Sequence, residues 1–99
     1  MSKQDKFTKA ARGRDCQVRL PGCTNDTQTV VLAHYRLAGT CGVGIKPNNL
    51  QGAWACQYCH DQIDGRTKAG LTREELRLYH AEGVFRTIDT LISEEVLKP

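Results

Sequence analysis

Ninety-nine residues, 39% of them hydrophobic, with a formal charge of +3 describe one small domain, whose modest core gains from a metal or disulfide staple. The charged start Met-Ser-Lys-Gln-Asp-Lys-Phe runs into no apolar segment, and no stretch reaches the length of a membrane span, so a secreted or membrane protein is not expected. A cytoplasmic setting disfavours disulfides, and the five cysteines read as four metal ligands and one spare thiol, Cys41.

In chain order, residues 1–12 form a basic, flexible or loosely helical lead ahead of a single domain at 13–99. Residues 1–20 carry Lys3, Lys6, Lys9, Arg12, Arg14 and Arg19 against Asp5 and Asp15, whereas residues 71–99 are net acidic. A basic arm on a compact domain suits contact with a phosphate backbone; a solvated terminus is the plainer reading. Residues 13–28 are rich in turn formers, and Pro21-Gly22 between Cys16 and Cys23 suggests a knuckle that turns both sulfurs onto one metal.

Residues 29–33, Thr-Val-Val-Leu-Ala, are the best strand in the chain, and His34 stands at its end. A glycine-rich loop follows over 38–49, then a short second strand at 50–55 with Trp54 as its apolar anchor. A helix is predicted from Cys56 to about Gly65, with His60 and Asp64 on one face. Another opens at Thr72, where Glu75 completes a capping box and Leu71 and Leu76 staple the start, and stops at Gly83. A last helix over 85–97 shows Ile88, Leu91, Ile92 and Val96 at helical spacing and is expected to pack on the one before it.

Chemistry concentrates in the cysteines and histidines. Cys16, Cys23, Cys56 and Cys59 can close a tetrahedral zinc site with no position left for reaction, which leaves His34 and His60 free. Cys56-Gln-Tyr-Cys59-His60 is also the attachment sequence of c-type haem, but haem attachment is extracytoplasmic and the single methionine is Met1, so no haem is expected. His60 as a zinc ligand in place of a cysteine is a further alternative. His34 as a hydrogen-bonded strand-end residue, Asp64 as a turn residue before Gly65, Trp54 and Tyr58 as core residues, and His80 as a surface or packing residue are the bland readings.

Val31-Leu-Ala-His34, Asn48-Asn49-Leu50 and Ala55-Cys-Gln-Tyr-Cys-His60 together resemble the HNH endonucleases of the ββα-metal, or His-metal finger, superfamily. The longer run from Cys16 to Arg66 is similar to a nuclease type carried by lambdoid prophages. The resemblance implies an α+β fold: a small ββα-metal finger core with structural zinc plus C-terminal helices. It implies a metal-dependent endonuclease that hydrolyses DNA phosphodiester bonds. His34 would activate water, Asn49 (or Asn48) would hold it in place, and His60 with Asp64 would bind a catalytic Mg²⁺ or Mn²⁺. Lys9, Arg12, Arg14 and Arg66 would contact DNA. Two departures stand out. Ala33 occupies a position where many family members carry a metal-binding acid, and the interval from Asn49 to Cys56 is longer than the common pattern. A catalytically inactive, zinc-stabilised DNA-binding module is the competing reading, and Ala33 is its best support.

Overall fold

The structure, a computed structural model, describes residues 5–45 and 47–98. Residues 1–4, with Lys3, lie outside the described residues. The remainder of the expected flexible arm is a helix, α1 (Asp5–Ala10), whose Phe7 and adjoining Ala11 are 4% and 1% exposed. Within the described part of the arm, Phe7 and Ala11 therefore belong to the core. Two apolar residues four positions apart share one helical face, but within six basic and polar neighbours they make too short a pattern to read as periodicity.

The sheet has two antiparallel strands, β1 (Val31–His34) and β2 (Gly52–Ala55). Their register pairs Val31 with Ala55, Leu32 with Trp54, Ala33 with Ala53 and His34 with Gly52. A 3₁₀ turn precedes each strand. Asp26 caps Thr27–Thr29 and Asn48 caps Asn49–Gln51, each side chain accepting from a backbone N–H two residues on. These turns claim residues expected to be extended, which shortens both strands. The Gly52 backbone lies under Leu32: a Cβ there would sit 2.6 Å from the Leu32 side chain.

One residue after β2 the chain enters α2 (Gln57–Ile63), with Cys56 at the N-cap. The rest of the fold is one long helix, α3 (Arg73–Ser93), opened by the Thr72–Glu75 capping box. The expected pair of C-terminal helices is thus a single rod, with Gly83 in its middle. Glycine weakens a helix interior by roughly 0.5–1 kcal/mol, yet here it permits close approach. A Cβ on Gly83 would lie 3.1 Å from the Gln17 carbonyl and the Val18 Cα, and 3.2 Å from the Ala53 Cβ. Packing, not helix termination, explains this residue.

α3 lies across β2. Trp54, Val18, Leu20, Val84 and Leu91 fill the space between them, and α1 closes one end with Phe7. Thr87, buried in α3, accepts from the Trp54 backbone N–H through its hydroxyl, and Arg86 donates to the Gln17 carbonyl. No helix among the described residues is long and apolar enough to cross a membrane.

Candidate functional site

Cys16, Cys23, Cys56 and Cys59 converge, with their sulfurs all within 4.8 Å of one another and those of Cys23 and Cys56 3.6 Å apart. A tetrahedral zinc ion about 2.3 Å from each sulfur would space them by about 3.8 Å, so the cluster has the dimensions to hold such an ion. The first pair comes from the turn-rich segment. Arg19 and Asn25 adopt positive φ there, the Cys16 N–H donates to the Asn25 side chain, and the Cys23 N–H donates to the Leu20 carbonyl. The Tyr58 hydroxyl donates to the Pro21 carbonyl and ties this knuckle to α2. The six-residue spacing is closed by backbone turns that the cysteine pattern alone does not specify. Four packed sulfurs cannot all carry charge without a cation. A hydrogen bond from the Cys59 thiol pulls Cys16 down to about 4. Burial pushes Cys23 up to about 11, and the bond to Cys16 raises Cys59 further. Cys41 lies outside the cluster, its thiol near the Leu37 carbonyl.

His34 closes β1, partly exposed. Its Nε2 is 2.7 Å from Asn49 Oδ1. The amide oxygen can only accept, so Nε2 carries the proton and Nδ1 keeps its lone pair. Asn49 is itself anchored, donating to the Thr8 hydroxyl of α1 at 3.3 Å. Asn48 instead caps the 3₁₀ turn and donates to the Gln51 side chain. Of the two asparagines, Asn49 is the one that touches His34.

His60 and Asp64, one turn apart on α2 and its C-cap, pair at 3.1 Å. Arg66 folds back over the same helix end and bridges Asp61 at 2.6 Å and Asp64 at 2.7 Å. Among the described residues the cysteines are the group of three or more ligands that could hold an ion; His60 and Asp64 offer two. Ala33 adds none. It is 1% exposed and paired with Ala53 beneath α3, so an acid at this position would be buried in the core rather than delivered to a metal.

Beside His34 a cleft of about 360 Å³ opens between the end of α2 and the first half of α3, with Asp64, Gln62, Arg36, Arg73, Arg77 and His80 on its walls. His80 is buried against Tyr35, its ring centroid 5.0 Å away, and Nε2 donates to the Ala33 carbonyl at 2.9 Å. That bond fixes β1 next to His34. Burial holds the imidazole below the ordinary histidine value, against the opposing pull of the carbonyl bond.

Two of the three arginines expected at DNA, Arg14 and Arg66, are paired with carboxylates. Arg14 forms a bidentate pair with Glu94 and lies 4.8 Å over the Trp54 ring, and Arg66 holds the two aspartates. Lys9 and Arg12 are exposed. The arginines of the cleft went unread, since nothing in their local sequence distinguishes them from an ordinary charged helix face.

The family described as "Putative nuclease YbcO" matches residues 5–96. Two curated relatives, "Putative nuclease YbcO" of Escherichia coli (strain K12) and "Putative nuclease ybcO" of Enterobacteria phage 82, are each 49% identical over 94 residues, covering 91% of this chain and 94% of theirs. A solved structure, described as "Structure of a putative bacteriophage protein from Escherichia coli str. K-12 substr. MG1655", superposes with a TM-score of 0.76 at 41% identity, covering 90% of this chain and 99% of that one. The match spans the cysteine cluster, the His34–Asn49 pair and both helices around the cleft, and the chain belongs to the YbcO family.

Proposed function

We propose that this protein is a metal-dependent endonuclease that hydrolyses DNA phosphodiester bonds, with a ββα-metal finger of the HNH type built on β1, β2 and α2. The supporting observation is the bond between His34 and Asn49. It leaves Nδ1 as the basic atom of a partly exposed histidine at the edge of a cleft, within a family whose curated members carry the name nuclease.

His34 takes a proton from water at Nδ1 as the water oxygen attacks phosphorus and the bond to the leaving oxygen breaks. Asn49 fixes the tautomer and aims the ring. His60 Nε2 and Asp64 Oδ2 would hold the catalytic Mg²⁺ or Mn²⁺. Their 3.1 Å separation suits adjacent positions around one ion with bonds of about 2.1 Å. Such an ion neutralises charge at the phosphate and stabilises the leaving oxygen. With Ala33 in the core, water and substrate phosphate would have to supply the remaining ligands, a usual arrangement for hard cations. Arg66 holds Asp64 and Asp61 in place. The four cysteines would hold a structural zinc joining the N-terminal knuckle to the start of α2, which carries His60.

Plasmid nicking with Mg²⁺ or Mn²⁺ tests this reading. Wild type should cut; His34→Ala should not, while keeping its zinc and its DNA affinity. DNA retention without cleavage, across duplex, branched and single-stranded forms and both ions, would make the protein a zinc-stabilised binding module.

A further inference from the structure

We propose that the cleft between α2 and α3 is the seat of the DNA backbone, with Arg36, Arg73 and Arg77 receiving phosphates that flank the one attacked at His34. The word "flank" rests on the nuclease reading; the binding itself does not. These residues replace Arg14 and Arg66 as the main phosphate ligands.

Arg36, Arg73 and Arg77 line one cleft together with His34, and Asp64 is the acidic residue on its walls. Asp64 is already bound by Arg66 and His60. Arg36 and Arg73 enter no ion pair or hydrogen bond among the described residues. Arg77 has its guanidinium carbon 4.7 Å from the Tyr35 ring centroid, and its N–H groups enter no ion pair or hydrogen bond among the described residues. Three like charges around one concavity repel unless an anion joins them, and low-dielectric walls focus their field into it. Guanidinium forks match phosphate oxygens in pairs.

Phosphate contacts carry no base information, so their loss should weaken binding alike on unrelated sequences. The test uses the full chain loaded with zinc, without other divalent ions, and the anisotropy of a labelled DNA duplex titrated over a range of salt. Arg36→Gln, Arg73→Gln and Arg77→Gln are compared with Lys98→Gln, which removes an exposed charge outside the cleft. Each cleft variant should lower the slope of log affinity against log salt by about one, and a double variant by about two. Lys98→Gln should change it little. The Arg73→Lys and Arg36→Lys variants should recover most of the slope. Should Arg77→Gln fail to fold for want of its Tyr35 contact, the exposed Arg36 and Arg73 carry the test alone. Cleft variants with native melting, native zinc content and an unchanged slope would overturn the proposal. If wild type cuts no DNA yet the slopes fall as expected, the cleft stands and the nuclease reading fails. Normal cleavage with unchanged KM in Arg36→Gln/Arg73→Gln gives the reverse.

Discussion

His34, Asn49 and Thr8 are far apart in the chain and form one hydrogen-bonded line in space. If the line orients a general base, its members should fail differently. His34→Ala should lower cleavage by about 10²–10⁴-fold with little change in DNA affinity, the usual weight of acid–base catalysis. Asn49→Ala should cost less, and should shift the pH–rate profile because the imidazole tautomer is no longer fixed; Asn49→Asp, which restores an acceptor for Nε2–H, should recover part of the rate. His80 supports the same strand from the other side, and its burial has a consequence for stability. The folded state holds this imidazole below its ordinary value, so it binds a proton less readily than the unfolded chain does. Its contribution is complete above the unfolded value of about 6.5 and is lost as pH falls below it. Unfolding midpoints measured from pH 8 to 5.5 should therefore drop further in wild type than in His80→Gln, which keeps a donor for the Ala33 carbonyl without a titrating ring. Equal drops would remove His80 as a source of acid sensitivity.

At the scale of elements, α1 and α3 depend on close packing at positions that look ordinary in the chain. Phe7 makes α1 part of the core, and Phe7→Ala should cost about 3–5 kcal/mol in urea unfolding. Deleting the segment as if it were a tail should unfold the domain rather than merely weaken DNA binding. Gly83→Ala presents the opposite case. Helix propensity favours alanine, yet the added methyl meets the backbone of residues 17 and 18. A net loss of about 1–3 kcal/mol is expected from overpacking, and a gain would show that α3 can ride up from the sheet. Both residues explain why the element boundaries were partly hidden. A glycine that ends a helix and a glycine that lets a helix touch a strand have the same one-dimensional appearance.

At the scale of the molecule, one cysteine cluster joins the knuckle to α2. Cys16 and Cys23 lie before β1, whereas Cys56 and Cys59 follow β2, so a bound ion would cross-link the segment that precedes the sheet to the one that follows it. Metal-binding free energy is then folding free energy. Removal of zinc by a chelator, or Cys56→Ser, should collapse the melting transition, with about one zinc per chain in the native protein. Cys41→Ser should leave both unchanged, since Cys41 is remote from the other sulfurs. A zinc-free protein of full stability would remove the staple.

The pattern of residue types by itself determined the grouping of Cys16, Cys23, Cys56 and Cys59, the strand ending in His34, the α2 face shared by His60 and Asp64, and the capped start of α3. Each depends on local spacing or local propensity, which the chain carries in its order. Tertiary structure alone decided that Asn49 rather than Asn48 reaches His34, that Arg14 and Arg66 are engaged by carboxylates while Arg36, Arg73 and Arg77 face the cleft, and that Ala33 lies beneath α3. Those outcomes depend on which face of an element meets which neighbour. That choice is made when α3 settles on β2 through Gly83, an interaction between segments with no signature in either one alone.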